Sequence, residues 1–198
     1  VGVGVVLGVA TVVLGVAMGQ LLGIARIHRS DGSRGAHRGM LTVERTIQAD
    51  AGAVWTLISD VEAYADVAPN IASATILSGV GGDMVRQCTD HHGGAWRELA
   101  AHWDEGRSYA FTVQTHAPDY PYPFRTLRGE WAVEPTSGGC TVTMRFDFTM
   151  PGGVLGDVLA TVAVVPKFQP VLDAILDAWQ AEAEVDAGAA SLRRSAAR

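Results

Sequence analysis

The run from Cys140 to Thr149 constrains this chain most. Val142, Met144, Phe146 and Phe148 alternate with Thr141, Thr143, Arg145, Asp147 and Thr149. A period of exactly two is the signature of a strand with one dry face and one wet face. One-sided strands belong to antiparallel sheets whose dry face is covered by another element. The chain must therefore supply partner strands and a cover.

Both are legible. Leu41–Ile47 alternates apart from Arg45, and Ile71–Ser78, Asp83–Asp90, Ala95–Trp103, Ser108–His116 and Thr126–Glu134 follow as strand-like runs. The turn signals Gly79 to Gly82, Gly93-Gly94, Glu105-Gly106, Pro118 to Pro123 and Thr136 to Gly139 separate them. Short turns between such runs predict an antiparallel meander. Between the first two strands, Asp50 offers an N-cap to a helix carrying Val54, Leu57 and Ile58, and Asp60 caps a second that Pro69 ends. After Pro151-Gly152-Gly153 a helical stripe runs through Leu155, Val158, Leu159, Val162, Val165 and Phe168. It resumes as Val171, Leu172, Ile175, Leu176 and Trp179. Pro166 and Pro170 are expected to kink or split that helix. The expected fold is α+β: a curved seven-stranded antiparallel sheet around a long C-terminal helix, with two short helices after the first strand. Residues 40–186 form this domain, and the Ala/Ser-rich stretch 187–198 reads as a disordered tail.

Val1 to Ile27 is a different material. It carries no charge before Arg26, and an apolar helix of that length spans a bilayer core of about 30 Å. Gly4/Gly8, Gly15/Gly19 and Gly19/Gly23 form G-x-x-x-G pairs that would allow close helix approach in lipid, although a Gly/Ala/Val-rich run produces such pairs by composition alone. The linker 28–39 is basic. Residues 1–39 hold four arginines against Asp31, a net of 4 − 1 = +3, and the remainder holds 11 − 20 = −9. Positive charge after the apolar run places the following domain on the cytoplasmic side of a membrane anchor. A cleaved signal peptide is the rival reading. A start at Met40, immediately before the first strand, is the third and would make the protein cytoplasmic. An acidic body without a basic face argues against nucleic acid as a partner.

Val54-Trp55-Thr-Leu-Ile-Ser-Asp60-Val61-Glu62-Ala-Tyr64, followed by Pro69, resembles the opening of the polyketide cyclase/dehydrase branch of START-like (helix-grip) proteins. The element order matches over nearly all of residues 40–184; the proline pair in the last helix departs from the pattern. The resemblance implies an interior that holds lipids, quinones, polyketides or other hydrophobic molecules between sheet and helix, and in some members a cyclase activity.

A curved sheet gripping one helix leaves concave surface unfilled, and ligand sites of this kind are mostly apolar with a few orienting polar groups. The candidate liners are Trp103, Tyr109, Phe111, Trp131, Met144, Phe146 and Trp179, with Gly129 on the face of Trp131 as the position where a larger side chain would obstruct the site. Taken singly, each reads first as an ordinary core residue. The loop Asp119–Phe124 reads as either a packed surface loop or a lip over the mouth. His91-His92 belong to a turn. Glu98 and His102, taken to share a face, stand about 13 Å apart at 3.3 Å per residue and form no dyad. Arg128 and Glu130 read as a solvated pair. There is no P-loop, dinucleotide fingerprint, G-x-S-x-G or zinc spacing, so neither cofactor nor metal is expected, and Cys88 and Cys140 read as buried thiols. Three functions stay open: a carrier or sensor of a small hydrophobic molecule, a cyclase or dehydratase acting in the same interior, and a protein-interaction module using the groove. Oligomeric state is not readable. A hydrogen-bonded His or Arg inside the interior would favour the enzyme; an all-apolar interior would favour the carrier.

Overall fold

The computed structural model describes residues 38–153, 156 and 160–196. In chain order they form β1 (Arg38–Ile47), α1 (Ala51–Ser59), α2 (Tyr64–Val67), β2 (Ile71–Ser78), β3 (Val85–Asp90), β4 (Ala95–Asp104), β5 (Ser108–Val113), β6 (Thr126–Thr136), β7 (Gly139–Thr149) and α3 (Val165–Ala196). The seven strands make one curved antiparallel sheet in the order β1-β7-β6-β5-β4-β3-β2. This is the expected fold, with the long helix and both short ones in place.

Local chemistry explains the elements. The Asp50 carboxylate accepts from the backbone N–H groups of Gly52 and Ala53, capping α1, and Asp60 accepts from Ala63 ahead of α2. On β7, Cys140, Val142, Met144, Phe146 and Phe148 are buried, while Thr141, Thr143, Arg145, Asp147 and Thr149 are not. The alternation therefore sets the register, since a one-residue slip would invert it. Leu172, Ile175, Leu176 and Trp179 on α3 are buried too, completing the core between sheet and helix. Phe168 meets Phe146 edge-to-face at 5.1 Å, and Arg45 on β1 pairs with Asp177 at 2.6 Å.

Three expectations need correction. The sheet starts at Arg38, inside the segment read as linker, because β7 is long enough to pair with it: Gly39 lies opposite Phe148, whose ring takes the space a Cβ would need. The prolines do not split the last helix. Pro166 occupies its first turn, where an N–H has no partner anyway, and Pro170 is carried within it. The irregularity lies ahead of them, in a π-helical turn at Ala160–Val164. Finally, α3 continues past Asp186 to Ala196, through the stretch read as a disordered tail. Ala187, Ala189, Ala190, Leu192 and Arg193 are strong helix formers that extend a helix already nucleated by packing. Among the described residues no helix is long and apolar enough to cross a membrane. The apolar run 1–27 and most of the linker lie outside them, as do Leu155, Val158 and Leu159 of the predicted stripe.

Candidate functional site

Six of the seven predicted liners meet in the interior. Strand register places Tyr109 beside Trp131 and Trp131 beside Met144, and on the next rung Phe111 beside Gly129 and Gly129 beside Phe146. Tyr109 stacks on Trp131 at 5.0 Å, and Phe146 meets Trp131 edge-on at 5.5 Å. Trp179 on α3 reaches the same cluster through Tyr64, 6.1 Å away. Gly129 does not face open space. A Cβ there would stand 2.7 Å from the Trp131 ring and 2.9 Å from Phe146, so the indole already occupies the room that a side chain at 129 would claim.

Trp103 is the exception. It is half-buried at one end of the sheet, stacked on Tyr109 at 5.3 Å and edge-on to Trp55 at 5.9 Å, and its indole N–H donates to Glu105. It marks the border of the aromatic cluster, not its interior.

A bulge at Ala101 explains the placement. The β4–β5 register shifts between Ala100 and His102, and one extra residue reverses the alternation. Glu98 and Trp103 therefore both face inward, while His102 faces out and bonds with Ser108 at 3.0 Å. The shared face of Glu98 and His102 expected from strict alternation is thus lost. Arg128 and Glu130 form a half-exposed pair at 2.6 Å, and His91 and His92 sit exposed in the β3–β4 turn.

The polar centre is one that sequence reading missed. Arg86 on β3 is 1% exposed, and its partner across the hairpin is Glu98, 7% exposed. The Arg86 Nε and Nη2 atoms donate to Glu98 Oε2 at 2.9 and 2.8 Å, and Nη1 donates to the Val61 carbonyl at 3.3 Å. The second Glu98 oxygen accepts from the Trp96 indole at 2.7 Å. The guanidinium carbon lies 4.3 Å from the centre of the Phe111 ring, 5.0 Å from Tyr64 and 5.8 Å from Trp131, a cation enclosed by three π faces. Three of its five N–H groups are taken by described residues. The Trp131 indole N–H, also buried, finds no partner among them.

Burial alone would lower the Arg86 pKa, but Glu98, with Cys88, Tyr109 and Tyr64, carries it above its ordinary range. Burial pushes the Tyr64 phenol well up and the Cys88 thiol up to about 12, so both stay protonated. The cluster thus contains one permanent cation, one matching carboxylate and neutral donors. Such a set can hold a polar oxygen or stabilise negative charge developing on one. Arg86 shares its parity on β3 with Cys88 and buried Met84, which was the only sequence signal for an inward arginine.

The β5–β6 loop reaches this centre from outside. Tyr122 donates to Asp90 at 2.5 Å and packs edge-on against Trp96 at 5.5 Å, while Asp90 also accepts from the backbone of His92 and Gly94. Elsewhere, an open groove of about 460 Å³ lies where the β1–α1 corner meets the β6–β7 turn, lined by Gln48, Asp50, Thr136 and Ala187 among others, and it includes none of these residues. Among the described residues no group of His, Cys, Asp and Glu side chains is arranged to hold a metal ion.

Comparison with known proteins agrees with the architecture. Among curated proteins none matches the chain. Among solved structures, the Zhui aromatase/cyclase from Streptomyces sp. R1128 superposes with a TM-score of 0.59 at 23% identity, covering 75% of this chain and 94% of that one. The di-domain aromatase/cyclase StfQ of the steffimycin biosynthetic pathway gives 0.62 at 16%, covering 76% of this chain and 52% of its own. Major latex-like protein 151 from Panax ginseng gives 0.58 at 16%, covering 74% and 97%. At these identities the likeness is one of fold. The profile described as "Polyketide cyclase / dehydrase and lipid transport" matches residues 39–184, most of the chain. By that match this helix-grip protein belongs to the polyketide cyclase/dehydrase and lipid transport family.

Proposed function

We propose that the domain binds a small, largely apolar, oxygen-bearing molecule between sheet and helix, as a carrier or sensor, with Arg86 as the group that orients it. The observation that carries this reading is the buried Arg86–Glu98 pair inside an aromatic shell. A buried ion pair is seldom a net gain in stability over apolar residues of similar volume, so its presence at the centre of the core calls for a use. Two guanidinium N–H groups and the Trp131 N–H are without partners among the described residues. Free donors of this kind can fix a ligand oxygen in an apolar site. Membership of the family fits this reading.

The test is extraction and mass spectrometry of small molecules retained by the chain purified from its native host. One apolar, oxygen-bearing compound near stoichiometry, lost in Arg86→Met, is the expected result. Equal retention by the variant would remove Arg86 from the account.

The buried arginine meets the criterion set for a cyclase or dehydratase, and a hydrogen-bonded guanidinium beside a protonated Tyr64 suits a developing enolate. This reading stands second because His91, His92, His102 and His116, the candidates for acid–base work, are all exposed. It predicts turnover of a linear poly-β-ketone analogue that Arg86→Lys abolishes without abolishing binding. The apolar run 1–27 is proposed to anchor the domain at a membrane, with the domain on the cytoplasmic side. Recovery of the full chain entirely in the soluble fraction would refute that.

A further inference from the structure

We propose that Glu98 sets the charge of the ligand, so that the interior takes neutral ketone- or hydroxyl-bearing molecules and rejects carboxylates. The proposal deepens the binding reading and rests on it.

The argument is one of charge matching. Arg86, Asp90 and Glu98 are the buried charged residues among those described. Asp90 is committed to the β3–β4 turn and Tyr122. That leaves Arg86 and Glu98, joined by two contacts under 3 Å, with a net charge of zero. The remaining titratable groups around them, Tyr64, Tyr109, Tyr120 and Cys88, are neutral, and Tyr109 spends its hydroxyl on the Ile58 carbonyl at 2.7 Å. Glu98 cannot turn away, because Trp96 holds its other oxygen. A ligand oxygen on the unused N–H groups of Arg86 therefore meets a cation whose charge is already matched. A carbonyl or hydroxyl gains hydrogen bonds there. A carboxylate would bring a second negative charge to the same guanidinium, across from Glu98, with no second cation to balance it. An uncompensated arginine would have the opposite preference.

Any apolar interior prefers a neutral molecule, so preference alone proves little. The decisive quantity is how the preference changes when Glu98 loses its charge. Two probes of nearly equal shape serve: 2-acetonaphthone, a neutral ketone, and 2-naphthoate, a carboxylate. Binding of each to the full chain is followed by quenching of tryptophan fluorescence. The wild-type chain is expected to bind the ketone about tenfold or more tightly than the carboxylate. Glu98→Gln should raise the relative affinity for naphthoate by about tenfold or more, because the guanidinium becomes uncompensated. An unchanged ratio in the folded variant would overturn the proposal.

Should Glu98→Gln fail to fold, the double variant Arg86→Gln/Glu98→Gln buries no unpaired charge and carries the test instead. Its ketone-to-carboxylate ratio should stay within about threefold of the wild-type value, since both interiors are neutral. A further loss of naphthoate binding by about tenfold would mean that Arg86 attracts carboxylates despite Glu98, and the proposal falls. If neither probe binds the wild-type chain, the binding reading itself is wrong and the inference goes with it. If both bind equally well, only the inference is lost.

Discussion

Replacing Gly129 by alanine adds one methyl group at the middle of the aromatic cluster. The new Cβ would stand 2.7 Å from the tip of the Trp131 indole and 2.9 Å from the Phe146 ring, where carbon atoms pack at about 3.5–4.0 Å. The indole must therefore retreat by roughly 1 Å. It cannot do so alone, because Trp131 is stacked on Tyr109 and edge-on to Phe146 and Tyr64. Overpacking of this kind costs about 1–3 kcal/mol, from which roughly 0.4–1 kcal/mol is recovered by stiffening the unfolded chain. The expected result is a Tm lowered by several degrees, at about 2–4 °C per kcal/mol for a domain of this size, with a changed near-UV circular dichroism spectrum. The second arm is a double-mutant cycle. The close atoms of Trp131 belong to its six-membered ring tip, which phenylalanine lacks. Gly129→Ala should therefore cost about 1 kcal/mol less in a Trp131→Phe background than in the wild type, measured by urea unfolding. Equal costs in the two backgrounds would refute the packing assigned to Trp131.

Other consequences follow from the same contacts. Arg86→Met alone strands Glu98 and should destabilise the fold by about 3–5 kcal/mol, whereas Arg86→Met/Glu98→Leu should recover most of that loss in urea unfolding. The Tyr122 hydroxyl, with help from the backbone of Gly94 and His92, holds the Asp90 carboxyl below its ordinary pKa. A lowered folded-state value stabilises the fold above the ordinary carboxylate range near pH 4, and the effect is lost as pH falls through the folded value. An NMR titration should show the Asp90 pKa rising toward ordinary in Tyr122→Phe. Cys88 and Cys140 are buried, and burial raises both thiols, Cys88 to about 12. Neither should react with iodoacetamide at pH 8 in the native state, and both should react in urea.

The fold was readable because its signals are local. Period-two alternation on β7, glycine and proline at the turns and an aspartate ahead of each short helix needed no tertiary knowledge. The interior aromatic cluster followed from the same alternation, which is why Tyr109, Phe111, Trp131, Met144 and Phe146 fell together. What was not readable depends on packing. The bulge at Ala101 has no proline or glycine to announce it, and it turned His102 away from the face of Glu98. Nothing in the sequence singled out Arg86, because a strand arginine ordinarily faces water. Only pairing across the β3–β4 hairpin makes their burial tolerable, and that pairing is not a property of either strand alone. The last helix outran its expected end for a related reason: helical propensity past Asp186 becomes effective only once α3 is anchored by Leu172, Ile175, Leu176 and Trp179.

The central claim is that a neutral apolar molecule lies against Arg86 in the interior. The direct measurement is the Nε–Hε resonance of Arg86, read in nitrogen-correlated NMR spectra during titration with 2-acetonaphthone. The account predicts one saturable shift of that resonance at one-to-one stoichiometry, in step with the Trp131 indole signal. A titration in which other resonances move while Arg86 and Trp131 stay fixed would contradict it.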